Sequence, residues 1–216
     1  MIAAVMIYRL SLALEFLFFF IGIPMLVYYR VFPNLPIPYL LLASLAAFLV
    51  LRRDPSFDRA RLFSFGGISS KIVPLLFRDA VLLLLLGLAV RIFAPQLLFG
   101  LLKHAPWFWA LIMLLYPLVS VYPQELLYRA FFFHRYRPLF GSGWTMVLAS
   151  ACAFGFVHIM FRNWLAMALC AFGGLLFGLT YQNSGSLLLV CLDHALFGNF
   201  IFTIGLGRLF YNGSHL

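Results

Sequence analysis

Glu125 and Arg129 in "YPQELLYRAFFF", His158 at the end of "FGFVH" and His194 at the start of "HALFGN" are ionisable residues set in strongly apolar surroundings. A carboxylate and a neutral imidazole can together activate water, and polar donors beside them can hold a developing oxyanion. That combination hydrolyses an amide without a nucleophilic side chain. Glu125 and Arg129 are four apart, about 40° on a helical wheel, so they share a face and can form a charge-assisted bond. Taken alone, the pair reads as an internal ion pair, and either histidine reads as a packed, hydrogen-bonded core residue. The case for chemistry rests on their occurring together.

The elements that must position these groups are membrane helices. Only 10% of the 216 residues are charged, 65% are hydrophobic and mean hydropathy is +1.04. Such a chain partitions into lipid. Apolar runs at 8–29, 36–51, 78–95, 107–134, 144–161, 164–182 and 186–206 predict an all-α polytopic membrane protein with about seven transmembrane helices, six to eight. No polar stretch is long enough to fold separately, so residues 1–216 form one transmembrane domain. The second run is short and starts with Pro36 and Pro38, which suggests a re-entrant segment. The fourth is long enough to tilt or break near Pro117 and Pro123.

A net charge of +9 raises the question of nucleic acid, but the basic residues fall between the spans rather than in one patch. Arg9, Arg52, Arg53, Arg59, Arg61, Lys71, Arg78, Arg135 and Arg137 lie on one side of the expected topology. Arg30, Lys103, Arg162 and Arg208, with Arg91 near a span end, fall on the other. The positive-inside rule then places the N-terminus in the cytoplasm, and an odd number of spans places the C-terminus outside. The first helix lacks a basic leader and a small-residue cleavage site, so it reads as a permanent span.

Polar groups inside spans default to function or to a specific bond, because each is costly in hydrocarbon unless paired. Besides the residues above, these are Glu15, Asp193 and Asn199. Glu15 has no evident sequence partner and reads as a structural hydrogen bonder; His104, His134 and His215 read as interfacial. Cys152, Cys170 and Cys191 lie within spans without metal-ligand spacing and read as packing residues. The "SFGGISS" stretch reads as a surface segment or a solvated connector. Counting 1.5 Å per residue from the span ends leaves Glu125, His158 and His194 spread over about 9 Å in depth, so spacing alone does not assemble them. No cofactor is expected. Zinc on His158, His194 and Glu125 has acceptable ligand types but no diagnostic spacing.

"PQELLYRAFFF", "FGFVH" and "HALFGN" together resemble, in order, the EExxxR, FxxxH and HxxxN motifs of the CPBP family, which holds CAAX prenyl endopeptidases and bacteriocin-processing or self-immunity proteins. The resemblance covers residues 107–205 as a catalytic core. It implies a glutamate-type intramembrane protease, once described as metal-dependent, in which a glutamate and the first histidine activate water. The second histidine and the asparagine would stabilise the oxyanion.

The residues assigned to the site on this basis are Glu125, His158, His194, Arg129, Asn199 and Gln124. Two positions depart from the pattern. Gln124 stands where the first glutamate belongs and cannot take a proton as a carboxylate does. Gly198 stands four after His194, with Asn199 one further, about 140° around an ideal helix. A π-bulge at Gly198 would turn Asn199 toward the His194 face; close helix packing is the other reading of the glycine.

The expected function is an endopeptidase of the prokaryotic cytoplasmic membrane, acting on a membrane-associated protein or peptide within the lipid bilayer and not on nucleic acid. The alternatives are a catalytically silent binding or immunity protein and a proton- or ion-coupled transporter. Substrate and oligomeric state are not encoded in these motifs.

Overall fold

The structure is a computed structural model and describes residues 2–63 and 68–210. Most of the "SFGGISS" stretch and His215 lie outside the described residues. Seven apolar helices follow one another: α1 Ile2–Tyr28, α2 Pro36–Arg53, α3 Ser70–Phe93, α4 Pro106–Arg135, α5 Trp144–Phe161, α6 Trp164–Ser184 and α7 Leu187–Thr203. The first six are long and apolar enough to cross a membrane, and α7 is shorter at 17 residues. There is no strand among the described residues. The chain is an all-α, integral membrane protein.

Helix ends are set by local chemistry. The Asn163 side chain accepts from the Leu165 and Ala166 N–H groups at the start of α6, and Ser186 accepts from Leu189 at the start of α7. Gly185, at φ +65°, makes the left-handed turn that lets Gly185 and Ser186 alone join α6 to α7. Pro36 and Pro38 occupy the first turn of α2, where a missing N–H costs little, and the helix continues unbroken for 18 residues. The expected re-entrant segment is therefore an ordinary helix.

The two ends of the bundle are pinned separately. At one, His134 bonds Asp54 at 2.8 Å and Lys71 Nζ donates to the Asn183 carbonyl at 2.6 Å. At the other, Asn34 donates to the Met160 carbonyl and Arg162 to that of Tyr28. The connections after α2 and after α4, flanked by Arg52, Arg53 and Arg135 at the adjoining helix ends, thus share an end. Glu15 has its partners near this end: Arg135 Nε and Nη2 donate to its two oxygens at 3.0 and 2.6 Å, and the Tyr136 hydroxyl donates at 3.1 Å.

Small residues draw α5 and α6 together. A Cβ on Gly155 would lie 2.6 Å from that of Ala171, and one on Gly174 would lie 3.1 Å from the Ala151 backbone. Backbones approach this closely only where side chains are missing. The tight pair fixes the end of α5, where Phe154 and His158 sit.

Candidate active site

Helix α4 carries the acid and is not a regular α-helix around it. Segments Pro117–Val121 and Leu126–Phe131 are π-helical, one on each side of Tyr122–Glu125. Pro117 and Pro123 have no N–H to donate. The Tyr122 N–H reaches back to the Pro117 carbonyl and the Phe132 N–H to that of Leu127, each a five-residue reach. The expected break near the prolines is thus a pair of wide turns within a continuous helix. Helix α7, by contrast, is α-helical throughout Leu187–Thr203, and the bulge expected at Gly198 does not form.

These turns present neighbouring residues to different surroundings. Gln124 lines a cavity of about 1120 Å³ to which all seven helices contribute. Glu125 has no exposed surface and is not among the lining residues. Its Oε1 accepts from His194 Nδ1 at 2.7 Å. Its Oε2 lies 3.1 Å from Arg129 Nε, close enough for an ion pair but off the line of a hydrogen bond. Arg129 is also fully buried; its guanidinium sits 4.8 Å from the centre of the Phe154 ring and Nη2 reaches the Gly174 carbonyl at 3.4 Å. A buried cation lying on an aromatic face, beside its counterion, recovers part of its lost hydration.

The two histidines face the cavity. His158 Nδ1 lies 2.7 Å from the Phe154 carbonyl, which can only accept, so that nitrogen carries a proton and a neutral ring has its lone pair on Nε2. His194 stacks on Phe177 at 4.5 Å, and the Phe154 ring stands edge-on to it at 5.6 Å. The same Phe154 ring meets His158 at 5.1 Å. Both imidazoles and Gln124 therefore border one chamber, despite the depth offset expected from helix counting.

Asn199 is placed elsewhere. Its Nδ2 points to the Met113 carbonyl on α4 at 3.4 Å, and it does not line the cavity. The site also has members that the motifs did not name. The Tyr116 hydroxyl lies 3.0 Å from His194 Nε2, and Gln124 Nε2 donates to Ser120 Oγ at 2.6 Å. Tyr116, Ser120 and Gln124 recur every four residues, a polar stripe that was readable in an apolar run. Behind His194, Asp193 takes Arg78 at 2.7 Å and accepts from Thr180, while Arg78 also holds the buried Asp79. Arg78 is thus an internal counterion as well as a charge near a loop. Its signal was the Arg78–Asp79 pair at the start of an otherwise apolar run.

Among the described residues, no three His, Cys, Asp or Glu side chains converge as a metal-ligand set. His158 Nδ1 is turned to the backbone, and the Nδ1 of His194 is taken by Glu125. Of the groups weighed from sequence for zinc, Glu125 and His194 are hydrogen-bonded to each other and His158 to the Phe154 backbone.

Neither the curated proteins nor the solved structures gave a match. Residues 105–201, which include all three motifs up to Asn199, match the family model described as type II CAAX prenyl endopeptidase Rce1-like, in line with the resemblance the motifs carry.

Proposed function

We propose that the chain is an intramembrane endopeptidase that hydrolyses a peptide bond of a membrane-associated protein or peptide, with His158 as the base on water. The family-model match over residues 105–201 supports a CAAX-type intramembrane protease in general terms. The observation that carries the finer reading is the His158 Nδ1 to Phe154 carbonyl bond of 2.7 Å, which leaves the Nε2 lone pair at the wall of the cavity.

In this reading Gln124 orients the water and His158 Nε2 takes its proton as oxygen attacks the scissile carbonyl. The His158 imidazolium then returns the proton to the leaving nitrogen as the C–N bond breaks. Glu125 acts through His194: it fixes a proton on Nδ1 and stabilises the ring when that ring is charged, the role a buried acid plays behind a catalytic histidine. No cofactor is assigned to these steps.

The test uses protein reconstituted in proteoliposomes with membrane peptides, cleavage being read by mass spectrometry of new termini. His158→Ala is expected to lower turnover by about 100- to 10,000-fold. Parent-like cleavage by both His158→Ala and His194→Ala would sink the hydrolase reading.

A specific observation favours a second reading, that of a silent binding protein. Of the adjacent pair at 124 and 125, the residue facing the cavity is an amide and the carboxylate is sealed away. Under that reading the parent binds peptide without cutting it.

A further inference from the structure

Hydrolysis at this site needs a donor for the negative charge that develops on the scissile carbonyl oxygen, and Asn199 does not face the cavity. We propose that Tyr116 is that donor, a catalytic residue whose hydroxyl, backed by His194, holds the oxyanion. The inference rests on the hydrolase reading above and names a further residue of the same site.

Three observations converge on the Tyr116 hydroxyl. It belongs to a residue of the cavity wall, and it lies 3.0 Å from His194 Nε2. It ends a continuous chain in which Arg129 faces Glu125, Glu125 accepts from His194 Nδ1, and His194 Nε2 meets the phenol. Finally, the ring occupies the space that a side chain at position 198 would fill: a Cβ on Gly198 would overlap the Tyr116 ring and its hydroxyl. The HxxxN motif has an asparagine at this position. Here the glycine admits a donor from α4 to the place where the motif's own amide would start.

The chain of bonds also explains how one hydroxyl can serve. With a neutral His194 whose proton is on Nδ1, Tyr116 donates to Nε2. With protons on both nitrogens, His194 donates to Glu125 and to the Tyr116 oxygen, and the phenol turns its own hydrogen toward the cavity. The oxyanion then meets an O–H backed by an imidazolium, which in turn is backed by a carboxylate. Preorganised donors of this kind gain strength where water is excluded. No bond to Tyr116 forms or breaks; the electron pair pushed onto the carbonyl oxygen by water returns when the C–N bond cleaves.

The alternative is that Tyr116 merely fills the notch left by Gly198, and the kinetics separate the two. In proteoliposomes, on a membrane peptide that the parent cleaves, Tyr116→Phe is expected to lower kcat about 100- to 1,000-fold with KM changed by less than about twofold, because the ring still fills the notch. A phosphonamidate analogue of that peptide, which carries a tetrahedral anion, should bind the variant more weakly by a similar factor. Adding Gly198→Asn to Tyr116→Ala should recover at least about tenfold in kcat over Tyr116→Ala alone, because a carboxamide enters the vacated space. Parent-like kcat in Tyr116→Phe, or a fall only in proportion to folded protein, overturns the inference and leaves the hydrolase reading standing. A parent that cleaves no membrane peptide defeats the hydrolase reading and this inference together.

Discussion

Glu125 is a carboxylate with no exposed surface, and its position is tolerable because a donor and a counterion meet it, His194 at 2.7 Å and Arg129 at 3.1 Å. Removing its charge has two separate consequences. Glu125→Gln keeps an acceptor for His194 Nδ1 but leaves Arg129 buried without its counterion, so stability should fall by about 3–5 kcal/mol in detergent unfolding. Turnover per folded molecule should also fall, by about 100-fold or more, because the His194 imidazolium loses its stabilising charge. Gln124 predicts the opposite direction. Gln124→Glu puts a carboxylate on the cavity wall, where Glu125 is not, and under the hydrolase reading it should raise kcat. An unchanged or lower kcat in a folded Gln124→Glu would show that a proton acceptor at this wall position does not help. The four-residue spacing of Glu125 and Arg129 made their pairing legible in the sequence. Which of residues 124 and 125 faces the cavity was not, because that depends on the wide turns that set the phase of α4.

At the scale of elements, the positions of the helices were legible from apolar run length, since about 20 residues are needed to cross hydrocarbon. Their irregularities were less so. Sequence reasoning looked for a wide turn at Gly198, but α7 has no use for one: the glycine is already spent on making room for Tyr116, and the chain runs straight. Wide turns fall instead in α4, next to the prolines that had suggested a tilt or a break, and in α1 at Leu17–Gly22. Nor could the sequence pair α2 with α4, which are joined near their ends by His134 and Asp54 at 2.8 Å. Asp54 lies just beyond α2, and the hydrogen bond from His134, with two more from Ser56, holds its carboxyl below the ordinary aspartate range. A lowered acid contributes stability that is complete above its unfolded value, about pH 4, and is lost as pH falls through the depressed one. The parent should therefore lose more thermal stability than Asp54→Asn on acidification below about pH 4. Equal acid sensitivity of the two proteins, measured by unfolding in detergent, would mean that the clip contributes nothing.

At the scale of the whole molecule, the arrangement of charge predicts an orientation and an access route for substrate. Arg52 and Arg53 at the end of α2, Arg59 and Arg61 after it, Arg135 at the end of α4 and Arg137 just beyond gather at the end where His134 meets Asp54. The opposite end has Arg30 beside Tyr28 and Arg162 donating to it. Since lysine and arginine in short loops set orientation, the first end should face the cytoplasm. The cavity runs along the bundle from Glu15 and Arg135 toward Phe210, so the Glu15–Arg135 ion pair borders it at this basic end and the remainder is largely apolar. A substrate held partly in lipid would thus lay its apolar part along the slot, with its polar end at the cytoplasmic surface. Single cysteines test this in a background in which Cys152, Cys170 and Cys191 are replaced by alanine. Ser56→Cys and Arg137→Cys, both exposed positions, should react with a membrane-impermeant maleimide only after the membrane is opened. Val31→Cys, exposed at the far end, should react without opening it. The reverse pattern would turn the molecule over and put the polar mouth of the cavity outside, where a substrate would have to arrive after export.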